Sequence, residues 1–299
     1  MSDKPALLIL GDSHAIALRQ GADMLGLTAE ELQFSGAGWH DQRFALGENG
    51  LEVRGIPRAA GQLRALREKL GVADVFASGI PVLTTVGFHL GRLVPPFGWN
   101  GHQVQEEDAP GITEGLTASR AFTQDYVQHY RRRHFRLLRR LARLTPLIVV
   151  VPPRVHDRPN YDSFQRIITE DLRGLGLTVY DPADDLAGED GFLPEDLMAE
   201  DGIHATAECG AMMIEAMRGR LASEAAALDA LLARHGLTPI GACPLFRLVE
   251  TDDAASIFDR LARRGILTRP FDYDPAWLRL GLPGSREGLA RLEAALRDG

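Results

Sequence analysis

Three side chains of this chain, distant in sequence, are of the types that together activate a hydroxyl. Ser13 sits in Leu10-Gly11-Asp12-Ser13-His14, directly after an apolar run, and Asp201-Gly202-Ile203-His204 brings a histidine 191 positions later. A serine hydroxyl is a weak nucleophile until a base takes its proton, and the base must be held in one tautomer by a carboxylate. A serine after the first predicted strand, with a carboxylate and an imidazole three residues apart, supplies all three parts. Each half constrains the other. Gly-Asp-Ser alone is a common turn, and Asp201 alone reads as a helix N-cap, since its segment opens a predicted helix. No pair of histidines has helical metal-ligand spacing with acidic support, so neither a metal nor any other cofactor is expected.

The elements that must bring these residues together follow from periodicity. Up to about residue 220, short apolar runs at 6–10, 32–34, 75–76, 82–86, 147–151 and 177–180 alternate with helical patterns over 62–70, 123–144 and 162–175. Such alternation predicts an α/β fold with a parallel sheet covered by helices on both faces. Ligands bind such sheets outside the carboxyl ends of the strands. Ser13, Gly36 and His89 each follow a predicted strand, so one edge of the sheet should gather all three.

The Gly-Asp-Ser turn and the late Asp-x-x-His resemble the SGNH (GDSL-type) hydrolases over residues 5–220. The resemblance implies a flavodoxin-like three-layer α/β/α domain, placed here at 1–222. It also implies Ser13 as nucleophile, His204 as general base and acid, and Asp201 as its orienting partner. The implied oxyanion hole combines the N–H of Ser13 with a glycine after the second strand and an asparagine after the third. Gly36 and Gly38, in Phe34-Ser35-Gly36-Ala37-Gly38-Trp39, both fit the glycine. The asparagine is missing: the third run ends in Gly87-Phe88-His89. His89 is the expected replacement donor, with Asn100 in the following loop as the fallback. Asp12 and His14 are expected in the substrate pocket, with Phe88, Phe97 and Trp99 as its walls.

Composition bounds the partners. A formal net charge of -8 argues against nucleic acid and anionic membrane, which favour basic surfaces. Arg131 opens a basic helix reaching Arg143, but Phe135, Leu138, Leu141 and Ala142 recur at helical spacing. A packed surface helix with a solvated basic face is the expectation. Cys209 and Cys243 are too few for a disulfide framework and read as reduced thiols. The first strand begins almost at once, leaving no room for a signal peptide, and no apolar stretch approaches the roughly 18 residues that span a bilayer. A cytoplasmic location is expected.

From residue 223 onward the pattern becomes helix, strand (239–249), helix (252–264), two short strands and a terminal helix (286–297), a small α+β domain over 223–299. Gly265-Ile266-Leu267-Thr268-Arg269-Pro270-Phe271 and Trp277-Leu278-Arg279-Leu280-Gly281-Leu282-Pro283 resemble the small C-terminal domain of fold-type I PLP enzymes. The likeness is to those of the threonine-phosphate decarboxylase and histidinol-phosphate aminotransferase kind. It implies anion-binding roles for Arg269 and Arg279. PLP chemistry needs a Schiff-base lysine, and Lys4 and Lys69, the only lysines, lie in no such context. The segment is therefore a reused structural module or a docking module for an intact PLP enzyme. The chain as a whole reads as an esterase or acyl hydrolase acting on a small-molecule ester or acylated substrate. Alternatives are an acyltransferase and a non-catalytic binding protein tied to cobalamin or amino-acid-phosphate metabolism.

Overall fold

Leu7–Gly11 form strand β1, every residue of it buried, because an all-apolar strand is stable only where both sheet faces are covered. The computed structural model describes residues 4–95, 102–104, 117–156, 158–241, 243 and 246–297. These fall into two compact units, 1–214 and 215–299, a division eight residues before the expected boundary and inside a helix.

In the first unit, β1 leads through α1 (Ala15–Met24), β2 (Ala29–Gln33) and α2 (Gly36–His40) to a hairpin, β3 (Phe44–Gly47) and β4 (Gly50–Val53). Then come α3 (Pro57–Leu70), β5 (Val82–Thr84), α4 (Leu90–Leu93), the short pair β6 (Gln103–Val104) and β7 (Thr117–Ala118), and α5 (Arg120–Leu144). The unit continues with β8 (Leu147–Val150), α6 (Pro159–Gly174), β9 (Thr178–Tyr180), α7 (Ala183–Leu186) and the start of α8 (Ala207–Arg234). Five strands pair in the order β2-β1-β5-β8-β9, all parallel. That is the flavodoxin-like order, whose direction reverses between β1 and β5; the crevice at that reversal is where such sheets bind ligands. Leu10 is level with Leu32 on one side and Thr84 on the other, so Ser13, Gly36 and His89 leave the sheet at the same edge.

Two expectations are corrected. Residues 75–76 are not a strand but part of a 3-10 turn, Val75–Ser78, because Asp74 caps it by accepting the Phe76 N–H at 3.0 Å. The β3–β4 hairpin, absent from the periodicity reading, turns through Glu48-Asn49, with Gly50 at φ +83 opening β4.

Helix α5 buries Val127, Arg131, His134, Phe135, Leu138 and Leu141, a stripe at three- and four-residue spacing. Its apolar members each contribute roughly 1.5–3 kcal/mol by leaving water. Arg131 is the exception to the expected solvated basic face: it points into the protein and is fully buried.

Two helices that carry functional ends touch backbone to backbone. A Cβ on Gly210, in α8, would lie 1.9 Å from the Ala17 carbonyl oxygen of α1. A Cβ on Gly21 would lie 2.2 Å from the Ala211 nitrogen. Side chains here would force the helices apart. Because Ser13 precedes α1 and His204 precedes α8, this approach sets how close the two can come.

The second unit is an antiparallel sheet, β10-β11-β13-β12, formed by Pro239–Ile240, Phe246–Glu250, Asp274–Gly281 and Arg269–Phe271. The expected single strand at 239–249 is thus two, paired antiparallel with Val249 opposite Pro239. Helices α9 (Ala254–Arg263) and α10 (Arg286–Arg297) join the later part of α8 in its core, through Leu228, Leu232, Ile257, Leu261, Leu278, Leu292 and Leu296. Cys209 and Cys243 are both free.

The helix contact makes a matched prediction on one helix. Gly210→Ala should lower stability by about 1–3 kcal/mol, since the carbonyl it strikes is backbone and cannot rotate away. Gly219→Ala, where an added Cβ meets nothing within 4 Å, should raise stability by up to about 1 kcal/mol through helix propensity. Urea unfolding of both variants checks this; equal shifts would refute the contact.

Candidate active site

Asp201 holds its own loop before it holds the imidazole. Its Oδ1 accepts the N–H groups of Ile203 and His204, both at 2.9 Å, the local turn that Asp side chains favour. Gly202 adopts φ +63, a conformation costly for any residue with a Cβ. The His204 carbonyl accepts from Ala199 N–H at 2.8 Å, and an isolated bridge joins Met198 to Ala205. The expected helix N-cap role is not what Asp201 does. Helix α8 begins at Ala207, with Thr206 Oγ1 accepting the Cys209 N–H at 3.2 Å.

With one carboxylate oxygen so pinned, the other reaches the imidazole: Oδ2 lies 2.6 Å from His204 Nδ1. An ionised carboxylate only accepts, so Nδ1 carries the proton and Nε2 presents its lone pair. Ser13 Oγ lies 2.8 Å from that Nε2 and donates to it. The His204 hydrogen bond, then the N–H groups of His204 and Ile203, hold the Asp201 carboxyl well below the usual carboxylate range.

Beneath Ser13 lies a second, buried carboxylate–imidazole pair. Asp12 Oδ2 is 2.7 Å from His89 Nδ1, while Oδ1 accepts from Thr85 Oγ1 and the His14 N–H, each at 3.1 Å. Burial works to raise the Asp12 pKa, but the hydrogen bonds it accepts from His89 and the His14 N–H outweigh it and keep the carboxyl ionised. His89 Nε2 accepts the Gly87 N–H at 3.3 Å, which makes the ring neutral and sets its tautomer. Burial lowers its pKa further than Asp12 restores it. His89 sits at φ +45, ψ +46, a left-handed conformation rare outside glycine. Buried Arg131 clamps that bend by donating Nε and Nη2 to the Phe88 carbonyl at 3.2 and 2.8 Å and Nη2 to the His89 carbonyl at 3.3 Å.

These contacts sort the expected site residues. Ser13, His14, Gly36, His89, Asp12 and His204 line one cleft of about 280 Å³. Gly36 is the glycine at that cleft; the Gly38 N–H is already bonded to Ser35 Oγ at 3.2 Å, so Gly38 is not free to donate. The His89 ring is not free either, because both its nitrogens are engaged. Phe88 is not a pocket wall: it is fully buried in the core of the sheet domain. Phe97, Trp99 and Asn100 lie outside the described residues. Instead the cleft takes its further surface from Leu90, Arg92, Pro153, Val155, Arg158 and Tyr161. His14 Nδ1 is buried without a partner among the described residues, with its ring tilted against His204 at 4.7 Å. Arg131 was legible only as one of a run of basic residues; its place on the apolar stripe of α5 is the signal that separates it from Arg132 and Arg133. In the second unit, Arg269 and Arg279 pair directly across β12 and β13, each stacked over a phenylalanine.

No family model matches the chain. It is similar to the threonine-phosphate decarboxylase of Pseudomonas aeruginosa, 49% identical over 77 residues, 26% of this chain and 23% of that protein. A Sinorhizobium sp. protein of the same name is 51% identical over 71 residues, 24% of this chain and 21% of the other. The chain thus spans less than a quarter of the curated relatives it matches, and the matched length fits the resemblance read in the C-terminal segment. Among solved structures, it is similar to a G-D-S-L family protein from Desulfitobacterium hafniense, with TM-score 0.40, 12% identity, and 70% of this chain and 96% of that one covered. It is also similar to Axe2, an acetylxylan esterase from Geobacillus stearothermophilus, with TM-score 0.33, 16% identity, and 72% and 93% covered. The fold assignment rests on the strand order itself. No helix among the described residues is long and apolar enough to cross a membrane.

The buried rings set an acid limit. Burial lowers the pKa of His14, His89 and His134, and His134 Nε2 donates to the Trp39 carbonyl at 2.8 Å. Above about pH 6.5 folded and unfolded chains both hold these rings neutral, and stability is flat. Below it the unfolded chain takes up protons that the folded chain resists, so these rings cost stability as pH falls. The Asp12 contribution is lost later, as pH drops below about 3.9 toward its depressed folded value. In His134→Gln, which keeps a donor but cannot titrate, the slope between about pH 6 and 5 should be shallower than in the parent. Chemical denaturation across that range reads it, and an unchanged slope would contradict the assignment.

Proposed function

We propose that this chain is a serine hydrolase of the ester or acyl class, with Ser13 as nucleophile, His204 as general base and acid, and Asp201 as the residue that orients it. The observation that carries the reading is the hydrogen-bonded series Ser13 Oγ–His204 Nε2 at 2.8 Å and His204 Nδ1–Asp201 Oδ2 at 2.6 Å, opening on a cleft. The same atoms arranged only for stability would have no reason to leave Ser13 exposed.

In the first half-reaction His204 Nε2 takes the Ser13 proton as Oγ bonds to the ester carbonyl carbon. The oxyanion that forms is met by the N–H groups of Ser13 and Gly36. Collapse breaks the carbon–oxygen bond to the alcohol, which leaves with the proton held on His204. Water then repeats the sequence on the acyl-Ser13, releasing the acid. An acceptor hydroxyl in place of water makes the same apparatus an acyltransferase.

The hole has two backbone donors and no asparagine counterpart among the described residues. Removing one such donor costs about 2.7–4 kcal/mol in related chemistry. Asp12, His89 and Arg131 act through position: they fix the turn on which Ser13 stands.

Labelling by a fluorophosphonate probe should modify Ser13 in the full chain. Ser13→Ala should lose labelling and at least about 10³-fold of kcat on p-nitrophenyl acetate. Its stability should stay within about 0.5 kcal/mol of the parent, as expected at an exposed site. Undiminished ester hydrolysis in that variant would end the reading in favour of a binding protein.

A further inference from the structure

Two arginines in the cleft are unused by the triad. Arg92 comes from α4, after β5, and Arg158 from the turn between β8 and α6; both line the cleft that holds Ser13 and His204. Both are exposed, and among the described residues neither is held in an ion pair. Arg154, four residues before Arg158, shows what a structural arginine in this turn looks like: it is bonded to Asp162 at 2.5 Å and to the Gly191 carbonyl at 3.3 Å. Arg158 instead lies 5.1 Å over the ring of Tyr161, another cleft residue. That stacking restrains a guanidinium without neutralising it.

The surrounding charge makes this pair selective. The chain carries a formal net charge of -8, so a generic surface would be acidic. Asp12, the carboxylate that lines the cleft, is spent on His89, Thr85 and the His14 N–H. Arg92 and Arg158 are the charged side chains of its lining that remain exposed. Its volume, about 280 Å³, lies below the roughly 300–1,000 Å³ of pockets for drug-sized ligands. A short acyl group with a compact alcohol fits that space.

Resting on the hydrolase reading above, we propose that the substrate is a short-chain ester bearing an anionic group, a phosphate or a carboxylate, which Arg92 and Arg158 hold while Ser13 attacks the ester carbonyl. The anion accepts from two planar guanidinium groups carried on different segments, which orients the ester relative to the nucleophile.

Matched acetyl esters test this: 4-acetoxyphenyl phosphate, 4-acetoxybenzoate and the neutral methyl 4-acetoxybenzoate. The full chain should favour at least one anionic ester over the neutral one about tenfold in kcat/KM at low salt, the combined effect of two partly exposed ion pairs. Added salt should shrink that preference, and in Arg92→Gln/Arg158→Gln the ratio should fall to about one. The more favoured anion identifies which group the cleft takes. A second measurement does not depend on turnover: calorimetric binding of the same esters to Ser13→Ala should show the same order. Equal use and equal binding of the neutral ester, with Ser13 still labelled by fluorophosphonate, would overturn the anionic substrate and leave the hydrolase intact. Arginine-dependent anion binding with no labelling and no turnover of any ester would sink the hydrolase reading, and the ester proposal with it.

Discussion

The direct contact between the backbones of α1 and α8 is the constraint on which the site depends. Ser13 and His204 are carried at the starts of these two helices, and a 2.8 Å hydrogen bond between them tolerates little movement. Gly21 and Gly210 permit the helices to approach until backbone meets backbone. Such a contact is stiff because it has no rotamers to adjust; close-packed interiors transmit even a methyl's worth of displacement. Stability and geometry are thus linked at one place, and a change there is felt at the nucleophile.

Opposed to this simple packing device is a costly polar one. The bend at His89 is strained, a cost on the order of 1–3 kcal/mol for a non-glycine residue in that region. It persists because the surroundings over-determine it: Asp12 and Gly87 hold the ring, and Arg131 holds the carbonyls on either side of the His89 Cα. Burial pushes the Arg131 pKa down to about 10, opposed by Tyr126 and Asp12, so the guanidinium stays charged at neutral pH. Its partners are carbonyl dipoles and, at longer range, the Asp12 carboxylate. A network of this kind is favourable only when complete, since each orphaned buried group costs about 1–3 kcal/mol. The turn bearing Ser13 is one of its members and inherits its rigidity.

The two imidazole–carboxylate pairs differ in exposure, and that difference separates their roles. Asp201 and His204 are partly open to solvent, free to exchange protons with a substrate or water. Asp12 and His89 are closed off and have fixed protonation states. One pair can cycle a proton; the other can only hold position.

The sequence by itself determined the parallel sheet, the site-bearing edge and the triad candidates, because apolar runs and turn residues are local signals and β1, β5 and β8 can be buried in few other ways. It also determined the two-part character of the chain, down to the terminal helix at 286–297. The choice of Gly36 over Gly38 depended on tertiary structure, since Gly36 meets Asp12 and His89 at the cleft, whereas the Gly38 N–H is taken by a local cap from Ser35. So did the use of His89 as a strut, the burial of Phe88 and the inward turn of Arg131 out of a run of similar arginines. Composition and spacing specify which groups are available; only packing decides which are already bonded, and a group's chemistry follows from what its neighbours have left free.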